Sequence, residues 1–166
     1  QFETIGDFSI DGLAWATKEG LYGLITSTGK RLTDNKYDEV RDWSEGGLAL
    51  VRVSTKWGLL NKDGKEILKV IYDEIGNFNE LGIAMVMSDG LYGMVASDGK
   101  IIAPLKYNTI GKFEAGLALV TIDGKYGILD ITGREVTDII YDTFEPYAIN
   151  GLAKVTINGL ISWVNR

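Results

Sequence analysis

The chain of 166 residues contains no cysteine and no histidine. Without cysteine there are no disulfides, no thiolate nucleophile and no Cys-based metal site, and the redox compartment stays undecided. Without histidine there is no Ser-His or Cys-His relay, no imidazole acid or base near neutral pH, and no ordinary zinc site. We therefore expect neither a cofactor nor a bound metal.

Basic residues and long apolar runs are also scarce. Lys plus Arg number 17 against 23 Asp plus Glu, and the net charge of −6 repels a nucleic-acid backbone. The apolar runs are much shorter than the ~20 residues that cross a bilayer, and no signal segment opens the chain. We expect no nucleic-acid partner and no membrane span. The start at Gln1 predicts a processed mature chain or a piece of a longer one, and an exported origin is compatible with both.

A block of about 35 residues recurs almost five times along the chain, and such a period marks a repeat architecture. Its first landmark is Gly-Leu-Ala or Gly-Ile-Ala, starting at Gly12, Gly47, Gly82, Gly116 and Gly151. The second is an aromatic residue followed by Gly, at Tyr22-Gly23, Trp57-Gly58, Tyr92-Gly93 and Tyr126-Gly127, which degenerates to Ile161-Ser162 in the fifth copy. The third is Tyr-Asp or Tyr-Asn, at Tyr37-Asp38, Tyr72-Asp73, Tyr107-Asn108 and Tyr141-Asp142.

Each copy is predicted to be a three-stranded antiparallel meander. Short apolar runs bounded by Gly and Asp are typical of strands. Turn glycines such as Gly29 and Gly64 supply the positive φ that a tight reversal needs. Both faces of the first strand are apolar, so neighbouring copies must cover it on both sides, and no copy folds alone. The more polar strand that carries Tyr-Asp is predicted to lie outside.

The copies can assemble in two ways, as a closed five-bladed β-propeller or as an open solenoid-like stack. The ring is preferred because residues 1–5 match the third strand that the fifth copy lacks. The chain is long enough to bury a single core, so residues 1–166 are predicted to form one domain and a monomer.

Lys56-Trp57-Gly58, the Gly64-Lys65 turn and Tyr72-Asp73 resemble the bacterial WG-repeat (KWG-repeat) family, and the resemblance covers the whole chain. It implies an all-β array used as a scaffold or binding surface, often at or outside the cell envelope, so an extracytoplasmic location is favoured. Some relatives carry many more copies, which favours the open stack and weakens the preference for a ring.

The candidate binding residues are loop acids that enter the first strand from one end of each unit. In a ring they would line one mouth of the central channel and attract a basic peptide or a cation. The alternative is an ordinary solvated loop, because loops usually carry exposed charge. The acids are Asp11, Glu45, Glu80 and Glu114.

Two other repeated features have a functional and a structural interpretation. The aromatic-Gly pairs could stack sugars, but packing of the aromatic ring with close approach to the Gly is the preferred interpretation. The Asp of Tyr-Asp could bind calcium, but a hydrogen bond to its own backbone at a turn is preferred. Trp15, Trp43 and Trp163 are interpreted as core variants, and Lys154 as a side chain that snorkels or lines a channel.

No acid is unique among the copies, whereas catalysis normally singles out one position, so no enzyme is predicted. The leading hypothesis is a non-catalytic scaffold or binding module for a protein or peptide, with a glycan as a further possibility. A structural spacer of a larger envelope or secreted protein is the alternative, and a carboxylate-based glycoside hydrolase ranks last.

Overall fold

The computed structural model describes residues 1–44, 46–145 and 151–165, and the regular elements there are all β-strands. By its contacts the chain divides into two compact units, Gln1–Asn77 with Ser97–Gly99 and Phe78–Ala96 with Lys100–Arg166. The all-β class is confirmed. The single domain, and the choice between ring and open stack, stay predictions.

The Gly-Leu-Ala and aromatic-Gly runs form hairpins in every repeat. Their first strands are β2 (Leu13–Lys18), β5 (Leu48–Val53), β9 (Ile83–Ser88), β13 (Leu117–Ile122) and β16 (Leu152–Ile157). Their second strands are β3 (Leu21–Thr26), β6 (Lys56–Asn61), β10 (Leu91–Ala96), β14 (Lys125–Asp130) and β17 (Leu160–Asn165). Each hairpin is antiparallel and in unbroken register, as from Leu48↔Asn61 to Val53↔Lys56. The predicted pairing of these two runs is confirmed.

The predicted third strand is divided between two sheets. Its first part is β7 (Glu66–Tyr72) or β11 (Ile101–Tyr107), which pairs with the second strand of its own repeat through a bulge. Its last two residues form a short separate strand that pairs with the next first strand, as Val40 does with Val51. These short strands are β1 (Thr4–Ile5), β4 (Glu39–Val40), β8 (Glu74–Ile75), β12 (Thr109–Ile110) and β15 (Thr143–Phe144).

Repeats 1 and 4 have a looser third segment, held by isolated bridges such as Tyr22↔Tyr37 and Leu129↔Glu135. The hydroxyls of Thr33 and Thr137 accept hydrogen bonds from the backbone N–H of Leu24 and Ile128 at 2.8 and 3.0 Å. A side chain thus takes the place of a backbone carbonyl in the ladder, which explains why no regular strand forms there.

Residues 4 and 5 pair with β2, so the N-terminal segment is the outer strand of the first sheet. The expectation that residues 1–5 supply the missing third strand of the fifth repeat stays a prediction. Among the described residues, β17 pairs only with β16 and stays at the edge of its sheet.

The core follows one face of each first strand. The alanines of Gly-Leu-Ala and the Ala or Val two residues later are all buried, whereas most side chains of the opposite face are only half-buried. Met85 on that second face is 43% exposed, so the prediction that both faces are covered holds fully for one face only.

The tyrosines of the outer segment also depart from expectation. Tyr37, Tyr72 and Tyr107 are at most 4% exposed, although Lys36 and Lys106 beside two of them are exposed. Tyr37 packs in a cluster with Val51 and Leu60 of the next repeat. The segment is thus polar on one side only, and its ring belongs to the core.

Candidate binding surface

A charged contact between consecutive repeats accompanies two of the buried tyrosines. In the first unit, Lys36 Nζ lies 2.7 Å from Glu66 Oε1, and the Tyr37 hydroxyl donates to the same oxygen at 3.4 Å. In the second unit, Lys106 Nζ lies 2.6 Å from Glu135 Oε1, and the Tyr107 hydroxyl donates to it at 3.0 Å. We call each Lys-Tyr-Glu group a seam. A seam joins the end of one third segment to the start of the next.

The seams shift the ionisation of their members. Burial raises the pKa of Tyr37, and burial together with the bond to Glu135 raises that of Tyr107. The hydrogen bond from Lys106 lowers the pKa of Glu135. The tyrosines therefore remain donors and Glu135 an acceptor over the whole neutral range.

Two adjacent clefts open between repeats 1 and 2 of the first unit, and Leu32 lines both. The first has a volume of about 300 Å³ and is lined by the seam together with Arg31, Thr33 and Asp34. The second has a volume of about 450 Å³, and its polar lining is Asp11, Thr26, Lys30, Lys62 and Asp63. We call the two together the repeat 1–2 groove. Both signs of charge line it, and it is open to solvent.

The predicted acids have different surroundings. Asp11 lines the second cleft and forms an ion pair with Lys62 of the next repeat. Glu80 and Glu114 are exposed in the loops before β9 and β13, and the backbone of Glu114 exchanges hydrogen bonds with Leu117. Glu45 lies outside the described residues. The interpretation of the four as a binding rim stays a prediction.

The carboxylates of the Tyr-Asp pairs accept hydrogen bonds from the next repeat. Asp38 accepts a hydrogen bond from the backbone N–H of Ser54, and Asp142 accepts one from Asn158 at 2.6 Å. Asn108 does the same for Asp123 at 2.7 Å. The predicted bond to the residue's own backbone is thus replaced by a bond to the following hairpin turn. Because this acceptor role suits Asp and Asn equally, it explains why both occur in the slot.

The aromatic-Gly pairs are packing elements. A Cβ on Gly58 would lie 2.7 Å from Val70 Cγ2 and 2.9 Å from the Leu68 carbonyl oxygen, and the corresponding glycines of repeats 3 and 4 are as crowded. The predicted close approach is confirmed, and the neighbour is the third segment of the same repeat. The Trp57 ring is itself flanked by guanidiniums, with the Cζ of Arg41 at 4.4 Å and that of Arg52 at 5.4 Å. Arg41 therefore occupies a place where a sugar would stack.

The remaining singular residues divide between core and surface. Trp15 stacks on Trp43, with ring centroids 5.8 Å apart, as expected of packing variants. Trp163 is 58% exposed, so its interpretation as a core variant is wrong. Lys154 forms an ion pair with Glu145 at 2.9 Å, which satisfies its charge at the surface.

These features define an all-β repeat fold in which buried rings and charged seams join repeat 1 to repeat 2 and repeat 3 to repeat 4. The chain belongs to the family described as WG containing repeat, whose model matches residues 1–22, 22–56, 57–92, 92–126 and 126–160. No curated protein matches the sequence. The part of the chain that the structure describes has no helix long and apolar enough to span a membrane.

Three solved structures illustrate the distant similarities. A eukaryotic initiation factor aligns with 10% identity and a TM-score of 0.39 over 95% of this chain and 49% of its own. Kluyveromyces lactis Hsv2 aligns with 10% identity and a TM-score of 0.36, over 96% and 59%. PorZ, a surface component of the type-IX secretion system of Porphyromonas gingivalis, gives 10% identity and a TM-score of 0.37, over 99% and 27%. The chain thus spans about half the length of the first of them and about a quarter of the last.

Proposed function

We propose that this chain is a non-catalytic binding module whose repeat 1–2 groove takes an extended, polar segment of a protein partner. The observation that carries the proposal is the pair of adjacent open clefts, about 300 and 450 Å³ in volume, with cations and carboxylates on the same walls. A small apolar ligand needs an enclosed and mainly apolar pocket, whereas a peptide with both charges would find partners along this groove.

The electrostatics support a role without catalysis. A glycoside hydrolase needs a carboxylic acid whose pKa is raised, so that it can donate a proton near neutral pH. Asp130, Glu135 and Asp142 have a displaced pKa, and all three are shifted downward, which is opposite to the shift that such an acid needs. Lys125 is the main cause for Asp142, as Lys106 is for Glu135. These acids stabilise turns and seams.

The groove is tested by selecting displayed random peptides on the wild-type chain and measuring their affinity for two charge-balanced variants. Arg31→Gln with Asp34→Asn removes one charge of each sign from the groove, and the selected peptides should lose most of their affinity. Lys18→Gln with Glu19→Gln removes the exposed ion pair of the first hairpin and serves as the matched control. Equal loss in both variants, or none, contradicts the groove. If no peptide is enriched at all, the alternative of a structural spacer is favoured.

The acidic rim is a second element of the proposal and predicts attraction of basic segments. Neutralising Asp11, Glu45, Glu80 and Glu114 to their amides should weaken association with a Lys-rich peptide and flatten its salt dependence. The control neutralises four acids elsewhere, namely Glu19, Glu74, Asp89 and Asp123. An unchanged affinity in the rim variant would remove the rim from the proposal.

An extracytoplasmic location also remains a proposal, which fractionation of the source cells tests directly.

A further inference from the structure

The strand β17 exposes large apolar side chains, and one of them holds a position that is buried in the other repeats. Leu160, Ile161 and Trp163 are 75%, 62% and 58% exposed. The counterparts of Trp163 are at most 5% exposed, and they are Leu24, Leu59, Met94 and Ile128. Exposed side chains of this size on a sheet edge are usually covered by another strand or avoided.

The backbone of β17 also lacks a neighbouring strand at Ile161 and Trp163, among the residues that the structure describes. In repeat 1, the N–H groups of Tyr22 and Leu24 point to the outer side, where they bond to the Tyr37 carbonyl oxygen and the Thr33 hydroxyl. By register, Ile161 and Trp163 hold these two positions in β17. Among the described residues no strand pairs with this side of β17. The outward N–H and C=O groups of Ile161 and Trp163 are therefore available to an added strand.

Ser162, which lies between Ile161 and Trp163, excludes the third segment that covers the second strand in the other repeats. In repeats 2 to 4 the third segment comes so close to the aromatic-Gly glycine that a Cβ there would lie within 3.0 Å of its atoms. The fifth repeat has Ser162 at this position, and a serine carries that Cβ. A bulged third segment of the kind that covers β6 would collide with it, whereas a regular, unbulged strand has room.

The chemistry of the edge favours a second copy of the same strand. Residues 160–165, Leu-Ile-Ser-Trp-Val-Asn, carry no charge, although the chain has a net charge of −6. Edge strands that resist association usually carry Lys, Pro or a bulge, and the described β17 has none of these. Ser162 leaves room only for a regular, unbulged strand. Because β17 is itself unbulged, a second copy of β17 can pair with it.

We propose that β17 is a self-association edge, at which two copies pair antiparallel about a two-fold axis through Ser162. Ile161 of each copy lies opposite Trp163 of the other, and these residues exchange the backbone hydrogen bonds of the added ladder. Their four side chains point to one face, because alternate residues of a strand share a face. A two-fold axis makes the contact self-complementary and closed, so association stops at a dimer.

Sedimentation velocity and amide hydrogen exchange of the whole chain test this edge. The wild type should move from 18.2 kDa toward twice that mass as its concentration rises to about 1 mM, since a single strand pair is a small interface. The amides of Ile161 and Trp163 should become about tenfold more protected over the same range. Trp163→Lys should abolish both effects. The control Ile10→Lys places the same charge at a fully exposed residue far along the sequence and should preserve them.

Two results of these measurements would overturn the proposal. One is a wild type that stays monomeric across the range, as the sequence predicts, and the other is a dimer in which the amides of Ile161 and Trp163 remain unprotected. A synthetic peptide of residues 64–73, the third-segment sequence of repeat 2, tests independently whether a third segment can pair with β17. If this peptide binds the wild type and protects those amides, Ser162 does not exclude a third segment and the assigned occupant is wrong.

Discussion

The turn glycines provide a direct measure of how strongly neighbouring repeats are coupled. Gly29 and Gly64 hold the same turn position in repeats 1 and 2, with φ of 84° and 78°. Each donates its N–H to the residue three positions earlier, at 2.9 and 3.0 Å. A Cβ on Gly29 would meet nothing within 4 Å, whereas one on Gly64 would lie 2.8 Å from the Leu32 carbonyl oxygen. The two positions thus differ in their contact with a preceding repeat and agree in their backbone.

The difference between two alanine substitutions therefore isolates this contact. A left-handed conformation costs a non-glycine residue about 1–2 kcal/mol, and Gly29→Ala should lose about that much. Gly64→Ala pays the same cost and must also displace the backbone at Leu32, which adds about 1–3 kcal/mol as in other overpacked sites. For a chain of this size, that excess lowers Tm by roughly 2–12 °C more than in Gly29→Ala.

Thermal and urea unfolding of both variants, followed by circular dichroism, measure the excess. Gly133→Ala repeats the experiment in the second unit, because a Cβ there would overlap the Ile102 carbonyl oxygen. We expect Gly64→Ala and Gly133→Ala to be clearly less stable than Gly29→Ala. Equal losses at all three sites would refute the reasoning, since backbone strain alone would then account for the turn glycines.

Three further predictions concern the sheet, the seam and the repeat as a unit. Gly58→Val should destabilise the chain by a few kcal/mol through overpacking against Val70, whereas Ser162→Val on the open edge should change Tm little, and a similar Tm for both would count against the close approach. Glu135 has a lowered pKa, so its stabilising effect is complete above its ordinary value of 4.5 and is lost as the pH falls through the lower folded value. In Glu135→Gln, the free energy of unfolding should fall less steeply as the pH drops below 4.5. Urea unfolding at a series of acidic pH values measures this, and the same fall in the variant and the wild type would contradict it. An excised single repeat of residues 47–81 should be unfolded by circular dichroism, because about 35 residues cannot bury enough surface alone, and a cooperative unfolding transition would refute that.

The local pattern of the sequence predicts the hairpins and their turns well. A glycine at a fixed distance from short apolar runs indicates a tight reversal between strands, and Gly20, Gly90, Gly124 and Gly159 do adopt positive φ in the turns between first and second strands. The interpretation of the aromatic-Gly glycines as points of close approach is also confirmed. Both signals are local, so one repeat is enough to detect them.

Contacts between repeats are less visible in a single repeat and need a comparison of copies. Residues 36 and 66 are Lys and Glu, residues 71 and 101 are both Ile, and residues 106 and 135 are again Lys and Glu. This concerted change of charge pairs and apolar pairs is the signal from which the seams could have been predicted. The Asp of Tyr-Asp is misleading for a related reason, because its acceptor role is directed to the next hairpin and not to its own turn.

The exposed apolar residues show a further limit of pattern reasoning. Trp163 occupies a position that is apolar in every copy, so the hydrophobic pattern gives no sign that this position is open in the fifth repeat. The clue lies one residue earlier, in the loss of the glycine that a third segment requires. Ser162 therefore carries information about covering strands that hydrophobicity does not.

Within each unit, a seam makes part of the stability of one repeat depend on the next repeat. The ring of Phe2 meets the guanidinium of Arg31, with Cζ 4.6 Å from its centroid, and Tyr37 meets Glu66 in the equivalent place one repeat later. Tyr107 and Glu135 repeat the arrangement in the second unit. In each case the aromatic ring ends one third segment and its polar partner begins the next, so neither contact exists within one repeat. The stability of such an array is approximately the sum of the intrinsic stabilities of the repeats and of the interaction energies between neighbouring repeats. A substitution at an interface should therefore destabilise two repeats at once.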